Sequence, residues 1–187
     1  MPSPRNQVRI IAGEWRGRKL GFPDVEGLRP TADRIRETLF NWLMPIIPGA
    51  TCLDLFAGSG ALGFEAASRG AAKVLMLEQN PQAFRSLKEN CKKLAVTQIE
   101  LKQVDALQYL AQPAERFDVV FIDPPFQTDY WREACRLLKT GSWLNDKAVV
   151  YLELNRQQDP LPHLAGWEVL KSRQAGQVRY MLLHLAS

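Results

Sequence analysis

Between Thr51 and Glu153 short apolar, strand-like runs alternate with helical patterns, and this alternation does most to restrict the fold. The strand candidates are Thr51–Phe56, Lys73–Glu78, Ile99–Val104, Phe117–Ile122 and Ala148–Glu153. The helix candidates between them are Ala61–Arg69, Pro81–Leu94, Ala106–Gln112 and Asp129–Leu138. Strands separated by helices need crossovers, so the sheet is parallel and helices cover both of its faces. Asn80-Pro81 offers a cap followed by proline at the first helical position, and Gly70 sits where a helix end favours left-handed backbone. The rhythm then breaks: Trp167–Arg173 and Val178–Leu185, joined by Gln174-Ala175-Gly176-Gln177, read as an antiparallel hairpin. The expected fold is α/β, a doubly wound Rossmann-like, mostly parallel sheet with an antiparallel end.

Ahead of this region, Val8-Arg9-Ile10-Ile11 and Arg18-Lys19-Leu20 form an N-terminal β-hairpin, and Gly21 to Pro30 a loop. Thr31 is expected to cap a helix from Ala32 to Leu43, whose Ile35, Leu39, Trp42 and Leu43 share one face before Pro45 and Pro48 end it. The chain thus divides into a hairpin and loop, residues 1–30, and a main domain, residues 31–187. No run approaches the roughly 18 apolar residues of a membrane span, and the first residues do not form a signal peptide, so a cytoplasmic protein is expected. Cys52, Cys91 and Cys135 are odd in number and widely spaced, and His163 and His184 stand alone, which argues against disulfides and a metal site. Residues 1–20 carry Arg5, Arg9, Arg16, Arg18 and Lys19 against Glu14, a net charge equal to the whole chain's +4. Such clustering suits either contact with phosphate backbones or a solvated arm.

Asp54-Leu55-Phe56-Ala57-Gly58-Ser59-Gly60-Ala61-Leu62-Gly63 follows the first parallel strand and opens a helix. Its glycines match the G-x-G-x-x-G pattern, in which backbone N–H groups at a helix N-terminus come close to a ligand. Glu78 ends the second strand about 20 residues later, where a carboxylate accepts from ribose hydroxyls. Asp105 ends the third, able to accept from an adenine amino group or to cap the next helix. A nicotinamide enzyme and an S-adenosylmethionine enzyme could both use this loop. Asp54 favours the second, because its carboxylate pairs with an ammonium but repels a pyrophosphate. The cofactor-binding candidates are Asp54, Phe56, Ala57, Gly58, Ser59, Gly60, Glu78, Asn80, Asp105 and Ala106.

Asp123-Pro124-Pro125-Phe126 ends the fourth strand. Proline cannot extend a ladder and holds its predecessor extended, so the strand stops at Asp123 in a stiff turn. The turn offers a carboxylate and the Pro124 carbonyl to N–H donors, and an aromatic ring to a planar face. These four residues are the catalytic candidates, suited to a flat group bearing an exocyclic amine.

With these motifs, and with Arg29-Pro30-Thr31 leading into Asp33-Arg34-Ile35-Arg36-Glu37-Thr38-Leu39-Phe40-Asn41, the sequence resembles class I S-adenosylmethionine-dependent methyltransferases. Within them it is similar to the small-subunit ribosomal RNA (guanine-N2)-methyltransferases of the RsmD type. The resemblance implies a class I methyltransferase fold, S-adenosyl-L-methionine as cofactor, and methylation of one guanine N2 in 16S rRNA of an assembled or assembling small ribosomal subunit by a monomer. It also implies that Asp123 and the Pro124 carbonyl hold the amine while Phe126 stacks on the base. Arg9, Arg16, Arg18, Lys19, Arg29, Arg34 and Arg36 are the RNA-facing candidates. A DNA adenine-N6 or protein glutamine-N5 methyltransferase, or a catalytically silent RNA-binding module, are the alternative readings.

Overall fold

The computed structural model describes residues 6–113, 115–125 and 128–186. A hairpin of β1 (Gln7–Arg9) and β2 (Lys19–Gly21) leads through a loop to α1 (Asp33–Trp42). The alternating region follows as β3 (Thr51–Asp54), α2 (Ala61–Ser68), β4 (Lys73–Leu77), α3 (Pro81–Leu94), β5 (Ile99–Lys102), α4 (Ala106–Leu110), β6 (Phe117–Ile122), α5 (Tyr130–Thr140) and β7 (Leu144–Asn155). The final hairpin is β8 (Trp167–Ala175) and β9 (Val178–Leu185). The seven-stranded sheet has the order β5-β4-β3-β6-β7-β9-β8. It is parallel from β5 through β7 and antiparallel where β9 pairs with β7 and β8. From β3 the chain steps outward to β4 and β5, then returns to β6 on the other side of β3. That reversal opens a crevice at the carboxyl ends of β3 and β6, where open α/β sheets bind ligands.

Strand residues alternate between two cores, as a sheet covered on both faces requires. Cys52, Met76, Phe121 and Tyr151 face one apolar cluster with α1, α2, α3 and the N-terminal hairpin. Leu53, Leu75, Val120 and Val150 face the other, against Leu110 of α4 and Trp131, Cys135 and Leu138 of α5. The hairpin shares its core with the sheet, since Val8, Ile10, Trp15, Leu20 and Phe22 join the first cluster. As a result α2 is buried on every side. The hairpin seats so closely on α2 that a Cβ on Gly13 would stand 1.9 Å from the Ser68 carbonyl oxygen. Among the described residues no helix is long and apolar enough to cross a membrane.

Several local expectations differ from the structure. Thr31 does not cap α1: Ala32 holds the N-cap position without a side-chain hydrogen bond, and the Thr31 hydroxyl points to the carboxyl ends of β6 and β7. β7 begins at Leu144 rather than Ala148, because the polar Asn145 donates to Asp118 at 2.7 Å while Asp118 also accepts the Thr51 N–H and hydroxyl. β3 to β5 end one to two residues earlier than their apolar runs. There the backbone leaves the ladder to form the loops that border the crevice.

Candidate active site

Asp54 stands at the end of β3, where its Oδ2 accepts the Gly63 N–H at 3.2 Å from the first turn of α2. Its Oδ1 is buried without a hydrogen-bond partner among the described residues. Burial, against the Gly63 hydrogen bond and with the nearby Glu78 charge, pushes its carboxyl up to about 7. An orphaned buried carboxyl oxygen of this kind calls for a donor or cation from outside the chain. The loop turns sharply at Gly58 and Gly60, both with positive φ. Gly63 serves a different purpose: a Cβ there would meet Met76 of β4 at 2.7 Å, so glycine lets α2 lie against the sheet.

Glu78, at the end of β4, straddles the loops, accepting the Gly58 N–H at 2.8 Å and the Asn80 N–H at 2.7 Å. Asn80 caps α3 through the Gln82 and Ala83 N–H groups, and Asp105 caps α4 through Gln108 N–H at 2.9 Å. Ala106 is buried in the first turn of α4. Phe56 stacks on Tyr130 with ring centroids 6.3 Å apart. These residues, with Ala57 and Ser59 of the glycine loop, line the same edge of the sheet. The unpaired Asp54 oxygen and half-exposed Glu78 suit an ammonium and a pair of hydroxyls, so the residues fit S-adenosyl-L-methionine.

Asp123 leaves β6 half-buried beside this loop. The register pairs Ile122 with Leu152, which brings Asp123 alongside Glu153, and alternation puts both on the face of Tyr151 and Phe121. Thr31 Oγ1 bridges the carboxyls, 3.0 Å from Asp123 Oδ2 and 3.3 Å from Glu153 Oε2. Tyr151 Oη donates to the same Glu153 oxygen at 2.7 Å. Burial and the neighbouring Glu153 push the Asp123 carboxyl well above its usual range, against the Thr31 hydrogen bond. Burial likewise raises Glu153, against hydrogen bonds from Tyr151 and Thr31. Pro124 is buried and Pro125 exposed, while Phe126 lies outside the described residues. The loop before α1 completes the crevice, with Leu28 near Gly58 and Gly27 near Pro125.

Arg9, Arg16, Arg18, Lys19, Arg29 and Arg34 are exposed. Arg36 is not, and its assignment to an RNA-facing surface is corrected. Its side chain is 1% exposed and donates to the carbonyls of Thr31 and Arg9 and to Glu65 and Asp33. Arg36 therefore fixes the backbone of the residue that bridges the two carboxyls. Thr31, Tyr151 and Glu153 are the groups linked to Asp123 that motif reading missed. An acid inside the apolar run Val149-Val150-Tyr151-Leu152-Glu153-Leu154 was the available signal for one of them.

The family model described as Conserved hypothetical protein 95 matches residues 8–184. The chain is 45% identical over 181 residues to the ribosomal RNA small subunit methyltransferase D of Escherichia coli (strain K12), covering 96% of this chain and 91% of that protein. It is 47% identical over 185 residues to the protein of the same name from Haemophilus influenzae, covering 97% and 95%. A solved Escherichia coli structure superposes with a TM-score of 0.87 at 42% identity, over 96% of this chain and 98% of that one. A Haemophilus influenzae structure superposes with a TM-score of 0.83 at 44% identity, over 97% and 99%.

Proposed function

The chain belongs to the family described as Conserved hypothetical protein 95, and on that footing we propose that it transfers a methyl group from S-adenosyl-L-methionine to the exocyclic N2 of one guanine in 16S rRNA of the small ribosomal subunit. The observation that carries this reading is the placement of the Asp123-Pro124 turn beside a glycine loop with an unpaired buried carboxyl oxygen. The name ribosomal RNA small subunit methyltransferase D, borne by relatives aligned over nearly their whole length, supports rRNA as substrate.

When bound, the cofactor supplies an electrophilic methyl group. Asp54, Glu78 and the loop Phe56 to Gly60 would hold it, Asp54 at the ammonium and Glu78 at the ribose hydroxyls, with Asn80, Asp105 and Ala106 along the same edge. A guanine amino nitrogen is a poor nucleophile because its lone pair is delocalised into the ring. Asp123 Oδ1 and the Pro124 carbonyl accept its two N–H bonds, which turns the lone pair toward the glycine loop and lets the nitrogen become tetrahedral. The gain is one of orientation and preorganised acceptors. Once alkylated, the nitrogen is acidic and passes its surplus proton to Asp123. Phe126 stacks on the base, worth about 1–3 kcal/mol. The exposed Arg9, Arg16, Arg18, Lys19, Arg29 and Arg34 meet phosphates around a guanine in a loop or flipped from its stack.

Incubating small subunits that lack the modification with methyl-labelled cofactor, then mapping the labelled nucleotide, tests the proposal. Label at N2 of a single 16S guanine is expected, and label confined to DNA or release factor would remove the ribosomal assignment. Asp123→Ala should abolish turnover while cofactor affinity stays within a few-fold of wild type. A large loss of cofactor binding in that variant would show that Asp123 serves the donor and not the acceptor.

A further inference from the structure

Three groups behind Asp123 have no part in holding either substrate, yet they are arranged as a chain: Thr31, Glu153 and Tyr151. The Thr31 hydroxyl owns one proton and can donate it to one carboxyl at a time. It nevertheless lies within hydrogen-bond distance of Asp123 Oδ2 and Glu153 Oε2. Both contacts are full two-centre hydrogen bonds only if one carboxyl is protonated and donates to Thr31 while the other accepts from it. Among the described residues no cation stands on the pair to permit two charges. The nearby guanidinium of Arg36 binds the Thr31 carbonyl, and Asp54, the next acid along the sheet edge, adds repulsion. Tyr151 donates to Glu153, and Tyr180 of β9 adds only a further phenol beside Tyr151. Two carboxyls so placed hold a single proton between them.

We infer that Thr31 and Glu153 are positioning residues for the methyl transfer, passing the shared proton from Asp123 to Glu153 when an amino group engages Asp123. Asp123 gives its proton to Thr31 Oγ1 as Thr31 gives its own to Glu153 Oε2. Two O–H bonds break, two form, and no electrons are gained or lost. Asp123 is left as a carboxylate facing the N–H donors, while neutral Glu153 still accepts from Tyr151. After transfer, the nitrogen's surplus proton goes to Asp123. The pair then carries two protons, and one leaves to water past half-exposed Asp123, restoring the starting state.

The relay rests on the proposed amine methylation, but its proton can be observed without substrate. In a titration of the free protein followed by carboxyl ¹³C NMR, the Asp123 and Glu153 resonances should shift together in one step above the usual carboxylate range. In Glu153→Gln that step should vanish from Asp123, which then titrates only at lower pH, and the kcat profile should lose the same step. Thr31→Val should lower kcat about tenfold, the effect of one lost hydrogen bond, with unchanged cofactor affinity, and Thr31→Ser should restore it. Separate titration of the two carboxyls, an unmoved Asp123 step in Glu153→Gln, or full activity in Thr31→Val would each overturn the relay. If wild type methylates no rRNA while the joint titration appears, the substrate assignment fails and the shared proton stands.

Discussion

Glu65 and Glu153 are both buried carboxyl groups on the same side of the sheet, and their surroundings are opposite. Glu65, fully enclosed in α2, meets Arg36 at 3.3 Å and Arg69 at 2.8 Å and accepts the N–H groups of Ile11 and Ala12. Glu153 meets two hydroxyls and, through one of them, another carboxyl. The first arrangement compensates charge and fastens the hairpin to α2. The second leaves charge uncompensated at the crevice, where a proton or a substrate must complete it. Arg36 joins the two, with one nitrogen on Glu65 and another on the Thr31 carbonyl. A buried acid with its own cations therefore marks the frame of this molecule, and one without them marks the site.

The contrast is broken most severely at Glu65. Glu65→Ala takes from the buried Arg36 its buried carboxylate partner, leaving it the exposed Asp33, and removes the acceptor of two backbone donors, and should cost about 3–5 kcal/mol in denaturant unfolding. Glu153→Gln removes an uncompensated charge and should leave stability unchanged or higher at and above neutral pH. Equal losses in the two variants would erase the distinction.

A pH series sharpens it. The Asp54 carboxyl, raised from 3.8 to about 7, contributes stability that is fully present below 3.8 and lost as pH rises through about 7. Wild type should therefore lose stability relative to Asp54→Asn across that window. Cofactor binding should release a proton near pH 7, seen by calorimetry in buffers of different ionisation enthalpy, and Asp54→Asn should abolish that release.

The smallest effect on the fold is expected at the exposed cations. Neutralising Arg16, Arg18 and Lys19 together should change stability by under about 0.5 kcal/mol per substitution while weakening RNA binding and flattening its salt dependence. An unaltered salt slope would reduce the basic arm to a solvated surface.

The alternation between Thr51 and Glu153 was readable because local periodicity and short connections leave a parallel sheet almost no alternatives. The placement of Asp54 and Asp123 at the carboxyl ends of β3 and β6 was readable for the same reason, since each ends an apolar run beside glycine or proline. Thr31 was not: a threonine before a helix satisfies the capping pattern, and its actual partners are 92 and 122 residues away. Arg36 likewise reads as surface charge on an amphipathic helix until Glu65, 29 residues on, is seen to draw it inward. Side chains whose partners lie across the fold leave little local trace.

The seat of Gly13 on Ser68 carries a practical consequence for dissecting the basic arm. Deleting the first strands would uncover α2 from its outer side, take two donors from Glu65, and remove the Arg9 carbonyl that helps hold Arg36. A truncated chain would lose RNA binding and folding together, and its inactivity would say nothing about recognition. Charge reversal at Arg16, Arg18 and Lys19, all of them exposed, is the operation that separates the two.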